Sequence, residues 1–180
     1  VDIAGLVAGA SKGEGLGNKF LANIRECDAI VHVVRCFEDA NIVHVDGSVD
    51  PLRDIDTITL ELIFSDLEQV ERVLTRAKKG KLSDQQKVYV GALEKISEAL
   101  NNDKPARSVE LDADELKEIK SLGLLSLKPV VYAANVVDTD LATGNEMVER
   151  VREFAKKENS EVVIISAQVE SELVDLDEDE

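Results

Sequence analysis

Three short runs of apolar, largely β-branched residues constrain this chain more than any other feature: residues 28–35, 129–134 and 161–165. None alternates cleanly between apolar and polar, which predicts parallel strands buried on both faces. Pro129 opens the second run, a position a strand tolerates. Val1-Asp-Ile-Ala4 reads as the end of a fourth strand. Between the runs, residues 15–27 (Leu16, Phe20, Leu21, Ile24, Cys27) and 144–158 (Met147, Val148, Val151, Phe154, Ala155) carry apolar side chains at helical spacing. Alternating strands and helices predict an α/β fold with right-handed crossovers.

The middle of the chain departs from that rhythm. From residue 54 to 79, Ile55, Ile58, Leu62, Ile63, Leu67, Val70, Val73, Leu74 and Ala77 keep a three-four spacing. After Lys79-Gly80-Lys81 a second helix is predicted from about Ser83, its N-cap, to Leu100, and a third from Asp112 to Ser121 with Asp112 as cap. Two long amphipathic helices joined by a glycine turn predict an antiparallel hairpin of coiled-coil type. The expected organisation is an α/β domain in two parts, 1–53 and 127–170. An inserted helical domain spans 54–126 and an acidic tail 171–180.

Composition limits what such a fold is built from and what it binds. Apolar residues make up 44% of the 180, but aromatics only 3%, with no Trp, so the core must be Val, Ile, Leu and Ala. The net charge of −16 argues against binding nucleic acid or anionic membrane over the whole surface. Seven acids between Glu170 and Glu180 read as a solvated end. Cys27 and Cys36 lie in or beside apolar runs and read as buried free thiols, which suits a reducing compartment. With two cysteines and two histidines at no metal-ligand spacing, a zinc site is not expected. No apolar stretch approaches the roughly 20 residues that span a membrane.

Four short motifs sit at expected strand ends. Asp2-Ile-Ala-Gly5 offers a carboxylate for a magnesium-bound water and a glycine N–H for a γ-phosphate. Gly9, Gly13, Gly15 and Gly17 follow; they match neither G-x-x-x-x-G-K-[ST] nor G-x-G-x-x-G and read as a hinge-rich switch. Asn135-Val-Val-Asp138 follows the second strand, where P-loop GTPases carry Asn-Lys-x-Asp. There the Asp accepts guanine N–H groups, and here Val136 replaces the Lys. Ser166-Ala167 follows the last strand, where a backbone N–H can meet a base edge. Each is weak alone, since a strand-end turn also reads this way; their order reinforces them.

Residues 2–25, 29–39 and 128–135 together resemble the switch II segment, the following strand and the base-recognition strand of the Obg-like ATPase (YchF) family. The resemblance extends over about residues 1–175. It implies a Ras-like P-loop NTPase sheet with an inserted helical coiled coil and a C-terminal TGS domain. The implied activity is magnesium-dependent ATP hydrolysis in preference to GTP, with ribosome association. Set against that architecture, the chain begins after the phosphate loop and switch I and stops before the TGS domain. Hydrolysis is therefore expected of the complete protein rather than of this chain alone.

The resemblance also directs attention to single residues. Leu6 stands where Ras-like GTPases place a water-orienting Gln, so His44, in the loop after a strand, is the candidate catalytic group; it reads equally as a solvent-facing loop histidine. His32, among apolar strand residues, reads as a core histidine. Gly5, Asn135, Val136, Asp138, Ser166 and Ala167 are the candidate nucleotide contacts, and Asp2 the water-mediated Mg2+ contact. The family's box ends in Glu, whereas Asp138 is nearer the GTPase pattern, so GTP stays an alternative to ATP. Arg76, Lys78, Lys79 and Lys81 at the hairpin tip could contact RNA or the ribosome, or form a solvated helix end. The expected protein is a cytoplasmic monomer with no membrane partner. A non-enzymatic RNA- or protein-binding module is the remaining alternative.

Overall fold

The computed structural model describes residues 17–38 and 49–167, and side chains from Leu21 onward. Asp2, Gly5, the glycine-rich segment up to Gly15, His44 and the acidic tail lie outside the described residues. The chain divides into two compact units, Ala29–Asp56 with Val130–Glu180 and Val1–Asp28 with Thr57–Pro129.

The first unit is a parallel sheet in the order β1 (Ile30–Arg35), β2 (Val130–Asn135), β3 (Glu161–Ile165). Val34 lies opposite Ala134, and Asn135 lies between Arg35 and Ile165, so all three strands end at one level. Helix α5 (Glu146–Lys157) joins β2 to β3, as parallel pairing requires of a connection. It packs Val148, Val151 and Ala155 against Val34, Val130, Tyr132 and Ala134 of the sheet. Each such aliphatic side chain, once buried, contributes about 1.5–3 kcal/mol. Leu52 and Ile55 join the same core from the first turns of a long helix, α2 (Pro51–Ala77).

The expectation of strands buried on both faces holds only for the central strand. Val31 and Val33 of β1 are 65% and 57% exposed, and Val163 of β3 is 46% exposed. Among the described residues, α5 and the start of α2 cover one face, and the pleat puts these valines on the other. A run that reads apolar on both sides therefore alternates in burial along β1 and β3.

The second unit is helical: α1 (Gly17–Arg25), α2 from Thr57 onward, α3 (Asp84–Asn101) and α4 (Ala113–Ile119). Helix α2 starts three residues before the predicted boundary. Pro51 fits a first helical turn, and Asp50 Oδ1 accepts the Arg53 N–H at 3.2 Å. Gly80 turns the chain with φ +92°. Ser83 then caps α3 as predicted, in a reciprocal box with Gln86 (3.2 and 2.8 Å), and Asp112 caps α4 in a second box with Glu115. Ile63 and Val70 of α2 share one apolar cluster with Ala92, Leu93, Ile96 and Leu100 of α3 and Ile119 of α4.

A buried carboxylate fixes the connection that leads out of this unit. Asp66 of α2 is fully buried and accepts the N–H groups of Leu125 (2.8 Å) and Ser126 (2.7 Å) and the Ser126 hydroxyl (2.5 Å). Ser126 Oγ in turn accepts the Ala106 N–H at 3.0 Å. The end of α1 is held nearby: Arg25 donates to Ser65 Oγ at 2.7 Å, and Lys128 Nζ donates to the carbonyls of Arg25 and Cys27.

Candidate functional site

The carboxyl ends of parallel strands are where α/β proteins hold ligands, because the loops there diverge and leave a crevice. In the sheet unit these ends are stitched sideways. Asn135 O accepts the N–H of Cys36 at 2.8 Å, continuing the β1–β2 ladder by one residue. The Val136 N–H donates to Ile165 O at 2.9 Å. The Asn135 side chain adds a third tie, its Oδ1 accepting the Ala167 N–H at 3.1 Å. Asn135, Ser166 and Ala167 are thus brought together, as their strand-end placement predicts.

The loop beyond Asn135 presents a carboxylate. A single 3-10 turn spans Asp138–Asp140. Asp138 is exposed, with Oδ1 accepting the Thr139 N–H at 2.9 Å. Such a group can accept hydrogen bonds from a base edge. Guanine offers it two neighbouring N–H donors, and adenine offers only its exocyclic amino group. Val136 is 2% exposed within the core and its N–H is engaged by Ile165, so only its carbonyl is left for a ligand. Ser166 is buried at 2% exposure, whereas Ala167 is exposed.

Asn145, which no sequence motif singles out, is built into this rim. As N-cap of α5, its Oδ1 accepts the Val148 N–H at 3.1 Å. Its Nδ2 donates to Cys36 O at 2.7 Å and to Asp140 Oδ2 at 3.2 Å. A helix predicted to start at residue 144 misses this cap, although an Asn ahead of the helical spacing is a cap signal; the bond to Cys36 left no local signal, because 109 residues separate the two.

Two titratable groups of the unit are held neutral. Burial lowers His32 to about 4, against the ring of Tyr132 at 5.9 Å between centroids. Tyr132 donates to Glu158 Oε1 at 2.5 Å and meets Phe154 edge-on. His32 is thus a neutral, half-buried strand histidine rather than the fully buried core histidine expected. Burial, helped by the Asp54 charge, pushes the Cys36 thiol up to about 11, which makes it a poor nucleophile.

In the helical unit, Arg76, Lys78, Lys79 and Lys81 are all exposed around the Gly80 turn. Lys78 Nζ lies 2.8 Å from Glu94 Oε1, an acid supplied by α3 that lies outside the sequence window around the turn. Among the described residues no cluster of three His, Cys, Asp or Glu side chains could hold a metal ion. None of the helices there is long and apolar enough to cross a membrane.

The family described as "50S ribosome-binding GTPase" matches residues 1–168. The chain is 52% identical to "Ribosome-binding ATPase YchF" of Bacillus subtilis (strain 168), over 99% of this chain and 50% of that protein. It is 56% identical to the protein of that name from Haemophilus influenzae, over 100% of this chain and 50% of the relative. A solved structure of the Schizosaccharomyces pombe YchF GTPase superposes with a TM-score of 0.76 at 34% identity, covering 89% of this chain and 46% of that one. The chain spans about half the length of the curated relatives it matches. With its parallel sheet and the match running almost from end to end, the chain belongs to the 50S ribosome-binding GTPase family and, within it, to the YchF proteins.

Proposed function

We propose that this chain supplies the base-recognition side of a purine nucleoside triphosphate site, and that the complete protein hydrolyses ATP in association with ribosomes. The observation that carries this reading is the tie between Asn135 Oδ1 and the Ala167 N–H, which sets two base-contacting loops side by side with the Asp138 carboxylate exposed beside them. In this reading Gly5 meets the γ-phosphate, Asn135, Val136, Asp138, Ser166 and Ala167 line the base, and His44 positions the attacking water. Mg2+ enters with the triphosphate and touches Asp2 through water. Asp2 is the carboxylate this chain would offer to the ion's water shell; among the described residues no cluster of three His, Cys, Asp or Glu side chains could hold a metal ion. Residues 54–126 act as an inserted helical arm of coiled-coil type on a monomeric, cytoplasmic enzyme.

A second reading rests on the exposed cations Arg76, Lys79 and Lys81 at the end of that arm, which suit a phosphate backbone. The arm would then bind ribosomal RNA whether or not nucleotide is present. Titrating the whole protein with ATP and with GTP, each with magnesium, separates the readings. Tighter ATP binding with ATP-dependent ribosome association supports the first. Equal or tighter GTP binding overturns the ATP preference, and ribosome association indifferent to nucleotide favours the second.

A further inference from the structure

We propose that Asn145 is the positioning residue of the base-recognition loop: its side-chain amide joins the turn that carries Asp138 to the end of β1, and so sets where the Asp138 carboxylate meets a base. This rests on the nucleotide reading above.

The hydrogen-bonding groups around Asn145 leave one orientation for its amide. Cys36 O and Asp140 Oδ2 can only accept, so both must face the NH2 group. The Val148 N–H can only donate, so it must face Oδ1. Both amide hydrogens are thus committed, one to the strand end and one to the turn, while the oxygen holds α5. Val136 at the start of the loop is held by Ile165 O, but from Val137 on the backbone hydrogen bonds described for the loop run within it: Asp140 N–H to Val137 O, Leu141 N–H to Asp138 O, and Gly144 N–H to Asp140 O at 2.7 Å. They give the turn its shape but do not place it beside the sheet. Gly144 delivers Asn145 to its position from a left-handed conformation, φ +74°.

Capping and clamping can be separated by substitution. Serine at this position can still accept the Val148 N–H, since it is a good N-cap, but it cannot reach both Cys36 O and Asp140. Aspartate would cap as well, but it would set a second carboxylate against that of Asp140.

The test compares the whole protein with its Asn145→Ser and Asp140→Ala variants. Affinities for ATP, GTP and tripolyphosphate are measured, together with thermal midpoints. If Asn145 positions the loop, N145S stays folded with its thermal midpoint lowered by only a few degrees, and it keeps its tripolyphosphate affinity. Its affinity for the preferred nucleotide falls roughly tenfold, and the ATP-to-GTP ratio moves toward one, as expected when two charge- or carbonyl-directed hydrogen bonds are removed. D140A, which keeps the cap and the bond to Cys36, shows the same change at smaller size and serves alone if N145S does not fold. Undiminished base discrimination in both variants overturns the positioning role and leaves nucleotide binding intact. Equal losses for all three ligands also overturn it, because a general disturbance would do that. A wild-type protein that binds neither nucleotide more tightly than tripolyphosphate overturns this proposal and the nucleotide reading together.

Discussion

Asn135 Oδ1 and the backbone N–H of Ala167 meet at 3.1 Å, although 32 residues separate them in the chain. The bond sits at the exposed rim, so water can replace it when the side chain is removed. Asn135→Ala should therefore lower global stability by only about 0.5–1 kcal/mol. Nucleotide affinity should fall much further, because the two loops lose their mutual register. Denaturant unfolding and nucleotide titration on the same variant check this. A stability loss as large as the binding loss would reduce Asn135 to a structural residue.

His32 makes an acid-sensitive contribution to the sheet unit. Its folded value is lowered to about 4 from an ordinary 6.5. Between those values the unfolded chain takes up a proton that the folded chain refuses. Stability should rise with pH from about 4 to about 6.5 and then level off, with a total gain of at most roughly 3 kcal/mol from this group. His32→Gln should flatten that rise. Unfolding free energies at a series of pH values provide the comparison, and an identical slope in the variant would remove His32 as the cause.

Strands and caps were readable because their signals are local. β-Branched runs located β1, β2 and β3 to within two residues, and Ser83 and Asp112 announced their helices by spacing alone. What escaped depends on which distant segments come together. Glu94 meets Lys78 only through the register of two helices, and Asp66 meets Ser126 across 60 residues. The exposure of Val31, Val33 and Val163 was missed for a different reason. An apolar run reports a side chain's preference for burial, and the cover on each face comes from other elements. Of the site itself, Asn135 and Ala167 followed from strand-end placement, while the second role of Asn145 needed the fold.

Asp66 offers a sharper stability test, since it satisfies two buried backbone N–H groups at once. Asp66→Ala should cost about 2–4 kcal/mol at neutral pH, because both donors are left without an acceptor. Burial raises the Asp66 carboxyl above its ordinary 3.8, against the pull of Ser126, Leu125 and Arg25. The folded chain then holds this proton more tightly than the unfolded one. Its contribution is largest in acid and diminishes as pH climbs from 3.8 through the raised value, opposite in sign to that of His32. The stability difference between wild type and Asp66→Asn, followed upward from about pH 4, should shift against the wild type. A difference that is flat across this range, or a D66A loss below about 1 kcal/mol, would contradict the account.

The Lys78–Glu94 pair makes the hairpin tip a graded rather than uniform basic patch. Both partners are half exposed, so the pair itself contributes at most about 1 kcal/mol to stability. Its larger effect is on charge: Glu94 neutralises Lys78 toward an incoming phosphate, while Lys79 and Lys81 stay exposed to it. Lys79→Glu with Lys81→Glu should therefore weaken RNA or ribosome binding and flatten its salt dependence, by roughly 0.7–0.9 in log-log slope for each phosphate the variant no longer neutralises. Removing the neutral pair with Lys78→Ala and Glu94→Ala together should do less than losing Lys79 or Lys81. Glu94→Gln should act in the opposite direction, strengthening binding a few-fold by releasing Lys78. Salt-dependent binding titrations of these variants rank the three lysines directly. A solvated helix end with no partner would show no ranking, and Glu94→Gln would then leave binding unchanged.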